Sequence, residues 1–76
     1  MINPIEIGKR IKELREEKEL TGIYVSTRLG IDQSYYSKLE KGKHTIKLET
    51  LCKIADLYNV SLDYLTARTN NKNINN

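Results

Sequence analysis

Ile7, Ile11 and Leu14 recur at i, i+4 and i+7 among charged residues. That spacing puts one apolar stripe on a helix over about residues 5–18, with the charges on the opposite face. Pro4 suits its first turn. Val25 and Leu29, four apart, give a second, short helix its inward face, with small Ser26 beside Val25. Thr21 is its predicted cap, and Gly30 supplies the left-handed residue that ends it. Asp32 caps a third helix running from about Gln33 to Lys41, which Gly42 stops. The connection "KHTIK" leads to a fourth helix with the stripe Leu48, Leu51, Cys52, Ala55 and Tyr58, ended by Asn59. Ser61 caps a last short helix carrying Leu62 and Leu65. No apolar–polar alternation runs far enough to build a sheet. The expected fold is therefore all-α: five short helices around one core.

The 76-residue length allows one small domain with a modest core. We assign it to residues 1–66, because from Thr66 onward "TARTNNKNINN" turns polar and asparagine-rich. Residues 67–76 read as a disordered polar tail. Cys52 and His44 are each the single residue of their type, which leaves no disulfide and no Cys/His metal cluster. No metal or cofactor is expected. No nucleophile–base pair or phosphate-cradling glycine loop is present, so an enzyme is not expected either. The amino terminus lacks a signal-peptide core, and no stretch approaches the ~20 apolar residues of a membrane span, so a cytoplasmic location is expected. Net charge is +3, which permits a polyanionic partner without demonstrating one.

The second and third helices, joined by the tight link "GID", form a helix-turn-helix pattern. With its flanks the pattern goes further. "IGKRIKELREEKEL", "VSTRLGIDQSYYSKLEKGK" and "LETLCKIADLYNVSLDYL" together resemble the phage-repressor and Cro-type, XRE-like, helix-turn-helix family over roughly residues 7–65. The resemblance implies a lambda-repressor-like fold, usually dimeric, that represses or controls transcription by binding operator DNA. It departs from the family in places. Gly22 stands where a glutamine commonly opens the second helix, Ile23 and Tyr24 follow where polar residues are usual, and Ile46 replaces a proline ahead of the fourth helix.

At about 100° per residue, Tyr36 and Leu39 of the third helix point one way, with Tyr35 and Glu40 on the shoulders. Ser34, Ser37, Lys38 and Lys41 point the other way, and Gln33 lies at the amino-terminal tip. Tyr36 is expected in the core, whereas Tyr35 has two readings, core stacking or backbone contact. An outward polar face is common on any surface helix. In a helix-turn-helix it suits the DNA major groove, where Gln33 pairs with adenine, Lys38 with guanine and Ser34 with several bases. Thr21, Tyr35, Ser37, Lys41, Lys43 and His44 are the expected contacts to the DNA backbone. Glu40, on the core side, needs a cation. Arg15 occupies the position the resemblance implies, giving an expected Arg15–Glu40 pair that holds the first helix to the third. Lys9, Arg10 and Lys12, mixed with Glu13, Glu16 and Glu17, read as a solvated face.

One recognition helix covers few base pairs, so a homodimer is expected. Its interface is assigned to Tyr64, Leu65 and Leu57 near the carboxy terminus. The alternative is an antitoxin-like protein-binding module that uses Ile23 and Tyr24 against a protein partner.

Overall fold

The computed structural model describes residues 3–74, so positions 1, 2, 75 and 76 of the two assigned spans lie outside the described residues. Within them the chain forms α1 (Pro4–Glu17), α2 (Gly22–Leu29), α3 (Gln33–Glu40), α4 (Leu48–Tyr58) and α5 (Leu62–Leu65). Each helix starts and stops for a local reason. The Asn3 side chain accepts from the Ile5 and Glu6 amides, with Pro4 at the first helical position. Thr21, Asp32 and Ser61 cap α2, α3 and α5 in the same way. Gly30 at φ 73° and Asn59 at φ 55° close α2 and α4 in the left-handed conformation. α4 starts on Lys47 without a side-chain cap.

Ile7, Ile11 and Leu14 of α1 meet Val25 and Leu29 of α2, Tyr36 and Leu39 of α3, and the inner face of α4 in one core. α1 and α3 approach most closely at Gly8. A Cβ there would collide with the Leu39 carbonyl oxygen and fall 2.6 Å from that of Glu40. Two backbones in such contact leave no room for any side chain, so Gly8 is a packing requirement.

The α4 stripe differs from expectation. Leu48 is 70% exposed and Cys52 only half-buried, whereas Ile54 is fully buried. The stripe that reaches the core is Leu51, Ile54, Ala55 and Tyr58, spaced i, i+3, i+4, i+7. Ile46, ahead of the helix, is buried and belongs to the core, whereas Leu48 does not.

The carboxy-terminal segment also differs. It was expected to be disordered from residue 67, yet residues 67–74 lie back against the body. Ala67 turns the chain at φ 65°. The Arg68 amide donates to Asp63 O at 2.8 Å, and the Ser61 amide to Lys72 O at 3.0 Å. Arg10 is the organising residue. Its Nη1 donates to Tyr64 O and Thr69 O, each at 2.7 Å, and its Nη2 to Asn70 Oδ1 at 2.8 Å. Its guanidinium stacks 4.6 Å from the Tyr64 ring centroid, and Lys72 reaches Glu17 at 3.0 Å. Arg10 thus leaves the solvated face to which its neighbours belong. Polar composition removes apolar driving force, but it does not forbid docking onto a buried cation that needs acceptors.

Candidate nucleic-acid interface

The two faces of α3 have opposite tasks. Tyr36 is 1% and Leu39 0% exposed, and both belong to the core. Gln33, Ser34, Lys38 and Lys41 are exposed and Ser37 half-buried. Gln33, Ser34, Ser37, Lys38, Lys41 and Lys43 line one shallow concavity. The three expected base-reading residues and three of the expected backbone contacts therefore share one surface. Thr21 stands at the start of α2, where its side chain accepts from the Tyr24 amide at 3.0 Å. Tyr35 is half-buried beside exposed His44, with ring centroids 6.0 Å apart.

The inner face is pinned by charge. Arg15 Nε donates to Glu40 Oε2 at 2.7 Å and Nη2 to Oε1 at 3.1 Å, a two-pronged contact from α1 to the last turn of α3. Arg15 Nη1 also donates to Leu20 O at 2.9 Å, in the turn before α2. One guanidinium so joins α1, the entry to α2, and α3. The hydrogen bond to Glu40 outweighs burial and pushes the Arg15 pKa above its usual value. Burial raises the Tyr36 pKa well above the usual phenol value, helped by the negative charge of the nearby Glu40 carboxylate. Tyr58 is raised by burial as well.

With Glu40 occupied, the basic surface is not neutralised from within. Among the described residues Lys38, Lys41, Lys43 and Lys47 form no salt bridge, whereas Lys53, Arg68 and Lys72 each sit beside an acid. Lys9, Lys12 and Lys18 on and after α1 are also exposed and form no salt bridge among the described residues, but only around α3 do the free lysines cluster on one surface. The start of α3 itself is closed by Asp32, whose carboxylate accepts from the Ser34 and Tyr35 amides. Any anion contact from this helix must therefore come through side chains.

The expected dimer residues are mostly spent inside the monomer. Leu65 is 0% exposed, and Tyr64 is 9% exposed beneath Arg10 and Lys72. Neither offers surface to a second chain, because a small helical core needs both to close over α1. Leu57 is half-buried. On α2, Ile23 is 60% and Tyr24 44% exposed, with Arg28 Nη1 donating to the Tyr24 hydroxyl at 2.9 Å. Arg10 and Gly8 were missed by sequence reading. The only signal for Gly8 was a glycine inside a helical stripe, and Arg10 had none. Among the described residues no His, Cys, Asp and Glu cluster could hold a metal, and no helix is long and apolar enough to cross a membrane.

A family model described as Helix-turn-helix matches residues 11–65. The chain is 34% identical over 64 residues to the HTH-type transcriptional regulator ImmR of Bacillus subtilis, covering 84% of this chain and 50% of that protein. It is 34% identical over 65 residues to the ImmF control region 10 kDa protein of Bacillus phage phi105, covering 86% of this chain and 72% of that one. It thus spans only half the length of ImmR and rather more of the phage protein. Among solved structures, the restriction-modification controller protein C.AhdI from Aeromonas hydrophila matches with a TM-score of 0.76 at 27% identity, covering 82% of this chain and 94% of that one. Five helices without a strand among the described residues, a helix-turn-helix at α2 and α3, and a match across most of the sequence lead to one assignment: the chain belongs to the phage-repressor and Cro-type, XRE-like, helix-turn-helix family.

Proposed function

We propose that the protein is a sequence-specific DNA-binding transcriptional regulator that reads operator DNA in the major groove with α3. The observation that carries this reading is the concavity of Gln33, Ser34, Ser37, Lys38, Lys41 and Lys43 on the outer face of a helix whose inner face is pinned. A helix fits the major groove, and residues near its start reach base edges. In this reading Gln33, Ser34 and Lys38 contact bases. Thr21, Tyr35, Ser37, Lys41, Lys43 and His44 contact the sugar–phosphate backbone. The likeness to regulators and to a controller protein supports it.

Selection of bound duplexes from a random pool at fixed salt tests the proposal. Wild type is expected to enrich one motif. Lys38→Ala and Gln33→Ala should each weaken that site by ~1–3 kcal/mol and relax preference at one base position. An unchanged enrichment profile for both variants would remove α3 from the readout.

Two copies, with recognition helices about 34 Å apart, would read a twofold site. With Tyr64 and Leu65 buried, the apolar surface left for a second copy near the carboxy terminus is half-buried Leu57 with exposed Leu62 and Ile74. Sedimentation without DNA checks this, since a strictly monomeric protein would exclude a preformed dimer. A second reading, a protein-binding module, rests on exposed Ile23 and Tyr24. Association through those residues would resist added salt, whereas phosphate-dominated binding falls steeply with it.

A further inference from the structure

The third helix ends on a glycine that is held from two sides. Gly42 follows α3 at φ 74°, in the left-handed region. Its amide donates to Leu39 O at 3.1 Å, and the Lys43 amide donates to Lys38 O at 3.0 Å. That pair of bonds is the Schellman ending of a helix, which needs a left-handed residue where Gly42 stands. It also ties Lys43 to Lys38 through one hydrogen bond, and both line the concavity of the proposed DNA-facing surface. Gly42 is pressed onto α1 as well. A Cβ here would fall 2.6 Å from the Ile5 Cα, 2.9 Å from its Cγ1 and 3.0 Å from its nitrogen. Two of these three atoms are backbone, so a change of rotamer makes no room. The left-handed conformation alone does not demand a glycine in this protein. Asn59 adopts it at φ 55° to end α4. Gly30 adopts it at φ 73° to end α2, and a Cβ there would meet nothing within 4 Å. Only at Gly42 do the left-handed turn and the close contact coincide.

We propose that Gly42 is a positioning residue for DNA binding: by resting bare backbone on Ile5 it fixes where Lys43 stands relative to the base-reading face of α3. A lysine ammonium sits at the end of a flexible four-carbon stem, so its reach is set by where its backbone is held. A turn free to swing would spread that charge over a wide volume, and a phosphate contact would then pay to order it. Here the turn cannot swing. On one side the Lys43 amide is bonded to α3. On the other, Gly42 abuts α1, whose Ile7, Ile11 and Leu14 lie in the core. Three residues beyond Ile5, the carbonyl oxygens of Leu39 and Glu40 fill the place of a Gly8 side chain. The start of α1 is thus a seat for the end of α3 and for the basic turn after it. The inference rests on the DNA-binding function proposed above, and it adds to that reading the residue that holds the phosphate anchor in register.

Asparagine separates the contact from the conformation, because it enters the left-handed region more readily than other side chains. Gly42→Asn therefore keeps the turn and adds the colliding Cβ. Gly30→Asn, at nearly the same φ but in open space, is its control. The measurement is the salt dependence of binding to a scrambled duplex, with each variant first checked for wild-type helix content. Gly42→Asn should lower the salt slope by about one unit, the share of one phosphate, although Lys43 is still present. Adding Lys43→Ala should lower it no further. Gly30→Asn should keep the wild-type slope. A role in packing alone would reduce stability and leave the slope of the folded protein unchanged. A folded Gly42→Asn with the wild-type slope would overturn the inference. So would a Gly42→Asn protein in which Lys43→Ala still removes a full unit, or an equal fall in Gly30→Asn. Where Gly42→Asn lacks wild-type helix content, Ile5→Gly takes its place, since Ile5 is 67% exposed and lies outside the core. Lys43→Ala should then weaken binding about twofold less in Ile5→Gly than in wild type, the mark of coupled residues. Equal losses in the two backgrounds would overturn the inference. A wild type that binds no duplex would sink the DNA-binding function and this inference together, whereas the variants sink the inference alone.

Discussion

Arg10 and Arg15 lie on the same helix, yet they tie down opposite ends of the molecule. Arg15 joins α1 to the last turn of α3 through a carboxylate, at the end that carries the basic surface. Arg10 joins α1 to α5 and the carboxy-terminal segment, mostly through backbone carbonyls. The first clamp holds an element whose orientation matters for recognition. The second holds a segment with no apolar stripe of its own. A guanidinium suits both tasks because its planar fork satisfies two acceptors at once and keeps its charge when partly buried.

Breaking the clamps should separate the two ends. Arg15→Ala is expected to be the more severe. It strands Glu40, whose side chain is 11% exposed, and frees Leu20 O. The expected loss is about 3 kcal/mol, the lower end for a buried pair because both partners keep some solvent contact. Urea unfolding with an unchanged slope checks it, and selective DNA binding should weaken in parallel.

Arg10→Ala should cost about 1–2 kcal/mol, since the carbonyls it leaves are close enough to the surface to find water. Its effect should be local. Amide exchange at Ser61 and Arg68, whose N–H groups bond within this segment, should speed up while the amides of α3 stay protected. Equal loss of protection at both ends would dissolve the distinction between the two clamps.

Alkaline pH probes the buried tyrosines of α3 and α4. Tyr36 and Tyr58 stay neutral in the fold but ionise once the chain unfolds. Their raised pKa values therefore stabilise the fold fully below about pH 10, and this contribution is lost as pH climbs beyond it. Absorbance titration should find that two of the five tyrosines resist ionisation until the protein unfolds. If all five titrate together near the usual phenol value, the hydroxyls are not enclosed.

Lys43→Ala should have the smallest effect on stability, near zero, because Lys43 is exposed and forms no salt bridge among the described residues. Its effect belongs to binding. All duplexes should weaken about equally, and the salt slope should fall by about one unit. A loss confined to one sequence would turn Lys43 into a base-reading residue.

Much of this protein was legible from one dimension. The stripe of Ile7, Ile11 and Leu14, the caps Thr21, Asp32 and Ser61, and the stops Gly30 and Asn59 are local signals, and helices answer to local signals. The two faces of α3 followed from the helical period. Glu40 was an acid on a core face and so advertised the need for a cation. Arg10 advertised nothing. Two of its three hydrogen-bond acceptors are backbone carbonyls, which every residue carries, so the residue types downstream barely mark where it will bind. The same limit hid Gly8, whose role depends on the α3 backbone arriving against it. It also misjudged Tyr64 and Leu65, where an apolar surplus counted along the chain proved to be needed to close the core. Sequence alone settled which helices form, which faces of α1, α2 and α3 are apolar and which surface is basic, because these depend on spacing and residue type. Tertiary structure alone decided how closely α1 meets α3, what the carboxy-terminal segment docks onto and which apolar residues remain outside, because these depend on backbone groups and space that no residue type encodes.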